Sequence, residues 1–155
     1  MDYRDITPED YSRFHPLAEA YYREGEDAAT PQEEMDAFIR FLFEKVTDGQ
    51  IQGCFAVPDG ADAGFALYAA DTPDFPFSQL PGYGTIVEIG LLPAYRGVGS
   101  GKALVSFVEC QLAQMGMKQC YVTAYGPAET FWFHCGYRKN GSTGTNGLPI
   151  MTKNI

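Results

Sequence analysis

The stretch of sequence that decides the fold is residues 91–102, which read LLPAYRGVGSGK. It follows a run typical of a β-strand, residues 85–92, and opens a helical pattern over residues 99–115. Alternating glycines at such a junction let backbone N–H groups point into one concavity, and the helix N-terminus adds partial positive charge. Arg96 and Lys102 add two cationic side chains. The stretch therefore predicts a diphosphate-type anion site, with a glycine-rich turn that binds nothing as the alternative.

Two familiar phosphate-binding motifs do not fit this spacing. A P-loop would need glycine in place of Arg96 and a hydroxyl residue in place of Ala103, so its metal-binding hydroxyl is missing. A Rossmann fingerprint would need glycine in place of Lys102. Nucleoside triphosphates and NAD are therefore not the first expectation. A nucleotide phosphotransferase would also need magnesium ligands, and the sequence suggests none around Lys102.

The remaining patterns predict an alternation of strands and helices. The expected elements are an edge strand at 2–6, helices at 7–22 and 30–48, strands at 52–57 and 64–70, a long loop at 71–84, a strand at 85–92, a helix at 99–115 ended by Gly116, a strand at 118–125, a short helix at 127–135 and a hairpin around 140–147. The apolar stripe of the helix at 99–115 is Leu104, Phe107, Val108, Leu112 and Met115.

A family resemblance follows from these segments. Arg96-Gly97-Val98-Gly99-Ser100-Gly101 resembles the acyl-CoA pyrophosphate loop of the GCN5-related N-acetyltransferases, or GNAT family. Residues 93–97, 128–137 and 151–153 are similar to further segments of that family, so the likeness covers roughly residues 85–155. The resemblance implies an α/β (α+β) fold: a central mixed, mostly antiparallel twisted sheet of six to seven strands, flanked by about four helices. It also implies a single N-acetyltransferase domain over residues 1–155.

The resemblance implies an N-acetyltransferase that moves an acetyl group from acetyl-CoA to a primary amine by direct transfer in a ternary complex. Main-chain groups of Leu91 and Leu92 would bind the pantetheine arm. The residues that would hold the pyrophosphate are Arg96, Gly97, Val98, Gly99, Ser100, Gly101 and Lys102. Gly90 fits a bulge or a close backbone approach, where the family separates its fourth and fifth strands, although it could be incidental.

Direct transfer needs a base for the amine and a proton source for the departing thiolate. Glu88 lies on the strand face opposite Val87 and Ile89, so it is the candidate base, with a solvated carboxylate as the equal alternative. At the position where the family often has an acidic tyrosine, this chain has Trp132, whose indole cannot act as an acid at neutral pH. Tyr125 is then the candidate acid, and solvent is the other source.

The missing tyrosine leaves a second hypothesis open: a non-catalytic sensor or scaffold module that binds acetyl-CoA without turnover. On the acceptor side, acidic and aromatic groups together suit a cation. The candidates are Tyr21, Tyr22, Glu24, Glu26, Asp27, Phe75, Phe77 and Tyr83, although solubility and core packing explain the same residues.

Composition restricts the partners. The net charge of −9 disfavours nucleic acid and anionic membranes, and it could concentrate a cationic small molecule such as a polyamine, although it could also serve solubility alone. Four scattered cysteines suggest reduced thiols, with no metal site. No apolar run approaches the ~20 residues of a membrane span, and the start does not resemble a signal peptide, so a cytoplasmic protein is expected. Homodimers are common in the resembled family, so a homodimer is one expectation.

Overall fold

The computed structural model describes residues 1–25 and 27–155. The strands are β1 (Asp2–Asp5), β2 (Gln52–Val57), β3 (Gly64–Ala70), β4 (Gly84–Leu91), β5 (Gln119–Thr123), β6 (Arg138–Thr143) and β7 (Pro149–Asn154). The α-helices are α1 (Tyr11–Arg23), α2 (Gln32–Thr47), α3 (Ser100–Gln114) and α4 (Glu129–His134). The strands hydrogen-bond in the order β1-β2-β3-β4-β5-β7-β6. This mixed, mostly antiparallel sheet with its helices confirms the expected fold class.

The chain forms two compact units, and each is described by itself. The first unit comprises Met1–Leu67 and Glu88–Leu104, and the second comprises Tyr68–Val87 and Val105–Ile155. Strands β3 and β4 and helix α3 each contribute residues to both units. The expectation of one domain over residues 1–155 stays a prediction.

In the first unit, helices α1 and α2 cover a sheet made of β1, β2 and parts of β3 and β4. Edge strand β1 runs antiparallel to β2, from Asp2↔Val57 to Asp5↔Cys54. The core is aromatic: Phe14 of α1 is fully buried, with its ring centroid 5.3 Å from Phe65 and 5.8 Å from Phe43. Burial of these large rings stabilises the packing of α1 and α2 on the sheet.

Helix α1 begins later than the sequence predicted. A turn of 3-10 helix occupies Pro8–Asp10, and the α-helix starts at Tyr11. The Asp10 carboxylate explains the tight turn, because it accepts the Thr7 backbone N–H at 2.7 Å and an Arg4 N–H at 2.9 Å. Although burial opposes ionisation, these bonds lower the pKa of Asp10 to about 2.

In the second unit, β5 is the central strand. It pairs in parallel with β4 through Gly84↔Cys120 and Thr85↔Tyr121, and antiparallel with β7 from Gln119↔Asn154 to Thr123↔Ile150. The second half of α3 buries Val105, Val108 and Leu112.

Met115 is a correction to the predicted apolar stripe of α3. Its side chain is 42% exposed because the helix ends at Gln114. Gly116 adopts φ +91°, and Met117 N–H donates to the Leu112 carbonyl at 3.0 Å. This glycine-ended cap turns the chain away before Met115 can reach the core.

The long loop before β4 is organised by one buried carboxylate. Asp71 is 2% exposed and accepts hydrogen bonds from the backbone N–H groups of Gln79 and Leu80, both at 2.9 Å, and from Tyr121 Oη at 2.7 Å. Ser78 Oγ donates to the same side chain. Burial opposes ionisation, but these donors hold the pKa of Asp71 below its ordinary value.

The cysteines are free thiols, as the sequence predicted. Cys54, Cys120 and Cys135 are buried and Cys110 is exposed. Within the described residues, every helix is too short or too polar to cross a lipid bilayer.

Candidate functional site

The predicted cofactor loop begins where β4 ends, in the first unit. Leu92 N–H donates to the Ala63 carbonyl at 2.8 Å, which ties the strand end to the chain before β3. A 3-10 turn over Pro93–Tyr95 then reverses the chain, with Tyr95 N–H donating to the Leu92 carbonyl at 3.0 Å. Helix α3 starts at Ser100, so the loop lies directly before a helix N-terminus.

Two loop glycines are required for their backbone conformation. Gly97 has φ +81° and Gly99 has φ +84°, a region that residues with a Cβ rarely adopt. A Cβ added at either position would meet nothing within 4 Å. Both glycines are therefore explained by the turn they make, since the surrounding space is open.

The loop leaves its backbone N–H groups available. The first helical bond of α3 runs from Ala103 N–H to the Gly99 carbonyl at 3.0 Å. In the described chain, the N–H groups of residues 98–102 have no hydrogen-bond acceptor. Such groups at the start of a helix are ready to bind an anion. Val98, at 80% exposed, shows how open the surface is here.

Arg96 already holds an anion, the carboxylate of Glu24 just after α1. Its two terminal nitrogens lie 2.8 and 2.9 Å from the two Glu24 carboxylate oxygens, and its Nε donates to the Leu91 carbonyl at 2.8 Å. Hydrogen bonding to Arg96 lowers the pKa of Glu24. A guanidinium that grips a carboxylate with two parallel bonds is equally suited to a phosphate.

The pairing of Glu24 with Arg96 is a contact that sequence reasoning missed. The sequence placed Glu24 among the acceptor-side candidates because it lies between the first two helices. In the structure its carboxylate pairs with Arg96 instead. Opposite charge on Glu24 and Arg96 was visible in the sequence, but nothing in the spacing indicated that residues so far apart in the chain would meet.

A second pair of glycines allows two close contacts, one between α1 and β4 at Gly90 and one between β3 and β4 at Gly64. A Cβ at Gly90 would lie 2.8 Å from Cδ2 of the Tyr21 ring, and one at Gly64 would lie 2.2 Å from the Gly90 carbonyl oxygen. Both distances are shorter than real contacts allow. The predicted close approach at Gly90 is therefore present, and the group that approaches is the ring of Tyr21.

The contact between α1 and the end of β4 is nearly free of empty space. A cavity of about 10 Å³ lies between them, lined by Leu17, Ala20, Tyr21, Glu24, Gly64, Gly90, Leu91 and Leu92. Such a volume holds at most about one water molecule. We call these two contacts, of Tyr21 with Gly90 and of Gly64 with the Gly90 backbone, the glycine seat.

The glycine seat places α1 over Glu88. Residues 88 and 90 lie on the same face of β4, because successive strand residues alternate between faces. The pKa of Glu88 is raised to about 7. Burial is the largest cause and the charge of Asp27 adds to it, whereas hydrogen bonding from the phenols of Tyr21 and Tyr22 lowers the pKa. Glu88 is therefore a carboxyl that exchanges a proton near neutral pH, which is the property a general base requires.

The Tyr22 hydroxyl beside Glu88 is buried without a partner. Tyr22 is 6% exposed, and its ring centroid lies 5.1 Å from that of Tyr21 and 5.3 Å from that of Phe38. The hydroxyl is close enough to favour the charged form of Glu88, yet it makes no well-formed hydrogen bond with any described residue.

The remaining predicted residues lie in the second unit. Tyr125 is 39% exposed, and its carbonyl accepts the Ala128 N–H at 2.7 Å. Trp132 is 6% exposed and packs edge-to-face against Phe131 and Tyr137 at 5.1 and 5.2 Å, which gives the indole a packing role. The role of Tyr125 as an acid stays a prediction.

The other acceptor-side candidates divide between packing and solvent. Phe75 packs against Phe77 with centroids 5.8 Å apart, and Tyr83 packs against Tyr121 at 6.3 Å. These aromatic residues therefore fit the packing alternative. Asp27 is exposed, and Glu26 lies outside the described residues.

A groove of the first unit with a volume of about 660 Å³ lies elsewhere, between α1 and α2. Its polar groups satisfy one another: His15 Nε2 lies 2.7 Å from Asp36 Oδ1, and Gln32 Nε2 donates to the same oxygen at 2.8 Å. The guanidinium of Arg40 stacks over Tyr11 at 4.0 Å. Groups already paired in this way do not indicate a ligand.

Comparisons with known proteins agree with this geometry. The family model described as the acetyltransferase (GNAT) family matches residues 9–137. No relative was found among curated proteins. The solved structure of PaiA N-acetyltransferase from Thermoplasma acidophilum, in complex with coenzyme A, superimposes with a TM-score of 0.76 at 17% identity, covering 99% of this chain and 98% of that one.

Two further solved structures are similar over their whole length. Aminoglycoside 6'-acetyltransferase type Ii has a TM-score of 0.72 at 17% identity, with 99% of this chain and 97% of that one covered. Ribosomal-protein-alanine N-acetyltransferase from Brucella melitensis has a TM-score of 0.72 at 16% identity, with 100% of each chain covered. At such identities the likeness establishes the fold, and the named acceptors belong to those proteins.

Proposed function

The chain belongs to the acetyltransferase (GNAT) family, and on that premise we propose that it is an N-acetyltransferase that transfers the acetyl group of acetyl-CoA to a primary amine. The transfer is direct, within a ternary complex of the protein and its two substrates. The observation that carries this proposal is Glu88, a carboxyl with a pKa of about 7 located in β4 a few residues before the anion-binding loop. The transfer needs a base close to the diphosphate site, and here the strand that contains Glu88 leads directly into the loop.

The residues of the loop fit the diphosphate of acetyl-CoA. The guanidinium of Arg96 and the unpaired N–H groups of residues 98–102 supply donors, and Lys102 supplies a further charge. Acetyl-CoA provides an acetyl thioester, whose carbonyl carbon is open to attack by an amine. The Leu91 carbonyl now accepts from Arg96 Nε, so we propose that Arg96 turns from Leu91 and Glu24 to the diphosphate when the donor binds.

Glu88 has the chemistry to prepare the amine. An alkylammonium must lose a proton before its nitrogen can form the C–N bond, and the carboxylate of Glu88 receives that proton. As the C–S bond breaks, the departing sulfur takes a proton from its donor, and the second proton lost by the nitrogen replaces that proton on the donor through solvent. The balance is one amide, one free thiol and one proton returned from Glu88 to solvent. Tyr125 remains the proposed donor to the sulfur.

The acceptor we propose is a cationic amine. Glu88 and Asp27 both act on the region around Tyr21 and Tyr22, and the net charge of −9 attracts cations at long range. Polyamines and amino sugars have the required combination of a primary amine and further positive charge.

The decisive experiment measures thiol release from acetyl-CoA in the presence of pooled polyamines, amino sugars, amino acids or peptides. Release above background is expected with one pool. Arg96→Ala should weaken coenzyme A binding about 30-fold, the loss of a charged hydrogen-bond pair worth about 2 kcal/mol. Glu88→Gln should lower kcat about 100-fold while coenzyme A binding stays unchanged.

Matched controls come from α2. Arg40→Ala and Glu44→Gln remove the same charges from exposed positions away from the loop, and both should retain the parent values. If acetyl-CoA binds but no pool releases thiol, the protein is an acetyl-CoA sensor or scaffold rather than a transferase for these amines. If acetyl-CoA does not bind, both functions are wrong.

A further inference from the structure

The unpartnered hydroxyl of Tyr22 is the feature of this site that the base and the loop do not explain. Tyr22 is 6% exposed, and within residues 1–25 and 27–155 its oxygen has no hydrogen-bond partner. Buried hydroxyls in native proteins are almost always paired, because an unpaired one is unfavourable. A polar group supplied by a bound molecule would satisfy this hydroxyl.

The groups around the hydroxyl indicate the chemical class of the molecule that would bind there. The groups that act on Glu88 are the phenols of Tyr21 and Tyr22 from α1 and the carboxylate of Asp27 from the connection between α1 and α2. Glu24 is held by Arg96. A negative, partly buried corner with phenol oxygens suits a cation that carries N–H groups.

The two phenols stay protonated in this corner. Burial, and then the charge of Glu88, raise the pKa of both Tyr21 and Tyr22 above the ordinary value. Each hydroxyl can therefore donate its hydrogen toward the Glu88 carboxylate while its oxygen lone pairs stay available. For Tyr22 those lone pairs have no described partner.

We propose that Tyr22 is the positioning residue for the acceptor amine: its hydroxyl oxygen accepts one N–H of the incoming ammonium while a second N–H faces the Glu88 carboxylate. Tyr21, fixed by its contact with Gly90, keeps α1 in place beside Glu88. Tyr22 orients the nitrogen and Glu88 removes its proton. This assignment rests on the proposed transferase function.

The test compares Tyr22→Phe with Tyr11→Phe. Both variants remove one hydroxyl from α1, but Tyr11 lies at the opposite end of the helix, where it packs against Phe43 and Arg40. With saturating acetyl-CoA and ethylamine as the probe, Tyr22→Phe should raise the KM for ethylamine roughly tenfold, as expected for one lost hydrogen bond. The KM for acetyl-CoA should stay within about twofold, and Tyr11→Phe should match the parent.

A second measurement does not depend on turnover. The carboxyl ¹³C resonance of Glu88, assigned by its absence in Glu88→Gln, reports the protonation of this group across the pH range. In Tyr22→Phe the Glu88 pKa should rise above that of the parent, because a hydroxyl dipole that favours the carboxylate is gone. Tyr11→Phe should titrate like the parent.

The outcomes separate the two proposals. If Tyr22→Phe behaves like Tyr11→Phe in both measurements, Tyr22 is a packing residue and the inference is wrong. If the parent binds acetyl-CoA but releases no thiol with ethylamine or any amine pool, the transferase proposal fails and the amine contact fails with it. In that case a raised Glu88 pKa in Tyr22→Phe would still establish the contact between the two side chains.

Discussion

The glycine seat and the glycine-rich loop of residues 92–99 both depend on glycine, but for opposite reasons. At Gly64 and Gly90 the backbone is ordinary, but there is no room for a side chain. At Gly97 and Gly99 there is ample room, but the backbone lies in a region that side chains disfavour. The first pair allows close packing, and the second pair shapes a turn that keeps N–H groups free.

This difference indicates that the two regions have different roles. The seat is a packed contact that fixes Glu88 relative to α1, whereas the loop is an open surface ready to receive a ligand. Under the proposed function, this places a rigidly held base next to an adaptable anion site, and precise geometry matters most where the proton moves.

The largest expected effect breaks the seat. Gly64→Ala places a Cβ 2.2 Å from the Gly90 carbonyl oxygen, and a backbone atom cannot move aside cheaply. The free energy of unfolding should fall by about 3 kcal/mol, measured by chemical denaturation. Gly97→Ala meets no neighbouring atom and is disfavoured only by the positive φ at that position, so the free energy of unfolding should fall by about 1 kcal/mol. Equal losses in the two variants would mean that the comparison of seat and loop is wrong.

A smaller effect tests the half-buried carboxyl of Glu88, two residues before Gly90 in β4. The pKa of Glu88 is about 7 in the folded protein against an ordinary 4.5, so the folded state holds the proton more tightly than the unfolded state. The contribution of Glu88 to stability is therefore greatest at low pH, and it is lost as the pH rises from about 4.5 to about 7.

Glu88→Gln should remove this dependence on pH. Relative to the parent, the variant should gain stability between about pH 5 and about pH 8, as measured by urea denaturation at both values. The control is Glu44→Gln, which changes an exposed carboxyl. A parent and a Glu88→Gln variant with parallel pH profiles would show that Glu88 is not desolvated.

The smallest effect concerns the loop. Glu24 forms an ion pair with Arg96, so under the proposed function it competes with the diphosphate of coenzyme A for that side chain. Glu24→Gln should therefore tighten coenzyme A binding about threefold, the scale of an exposed ion pair. Isothermal titration calorimetry would measure the change, with Glu44→Gln as the control. Weaker binding in Glu24→Gln would show that Glu24 orients Arg96 for the ligand instead of competing with it.

The sequence predicted the fold well wherever local patterns were strong. Strands β2 and β3 have the predicted bounds, and the glycine at position 116 ends α3 as expected. The predicted start of α1 and the predicted place of Met115 in the apolar stripe were wrong, because each depends on a local cap. The cap is the Asp10 side chain in the first case and the Gly116 turn in the second. Helix periodicity carries no information about such caps.

The candidate site divides in the same way. Arg96, the loop glycines and Glu88 could be identified from a contiguous motif and strand alternation. The ion pair of Arg96 with Glu24 and the meeting of Tyr21 with Gly90 could not, since they join residues far apart in the chain. A lone glycine inside a strand was the one visible sign that another group approaches there.

The loop organised by Asp71 has a consequence for any molecule that touches it. Although it contains neither helix nor strand, its backbone is held by the hydrogen bonds that Asp71 accepts from Gln79, Leu80 and Tyr121. The conformational entropy of ordering this segment is lost when the protein folds. A binding partner would therefore find the segment preorganised, and the free energy of their contact would go into affinity rather than into ordering the chain.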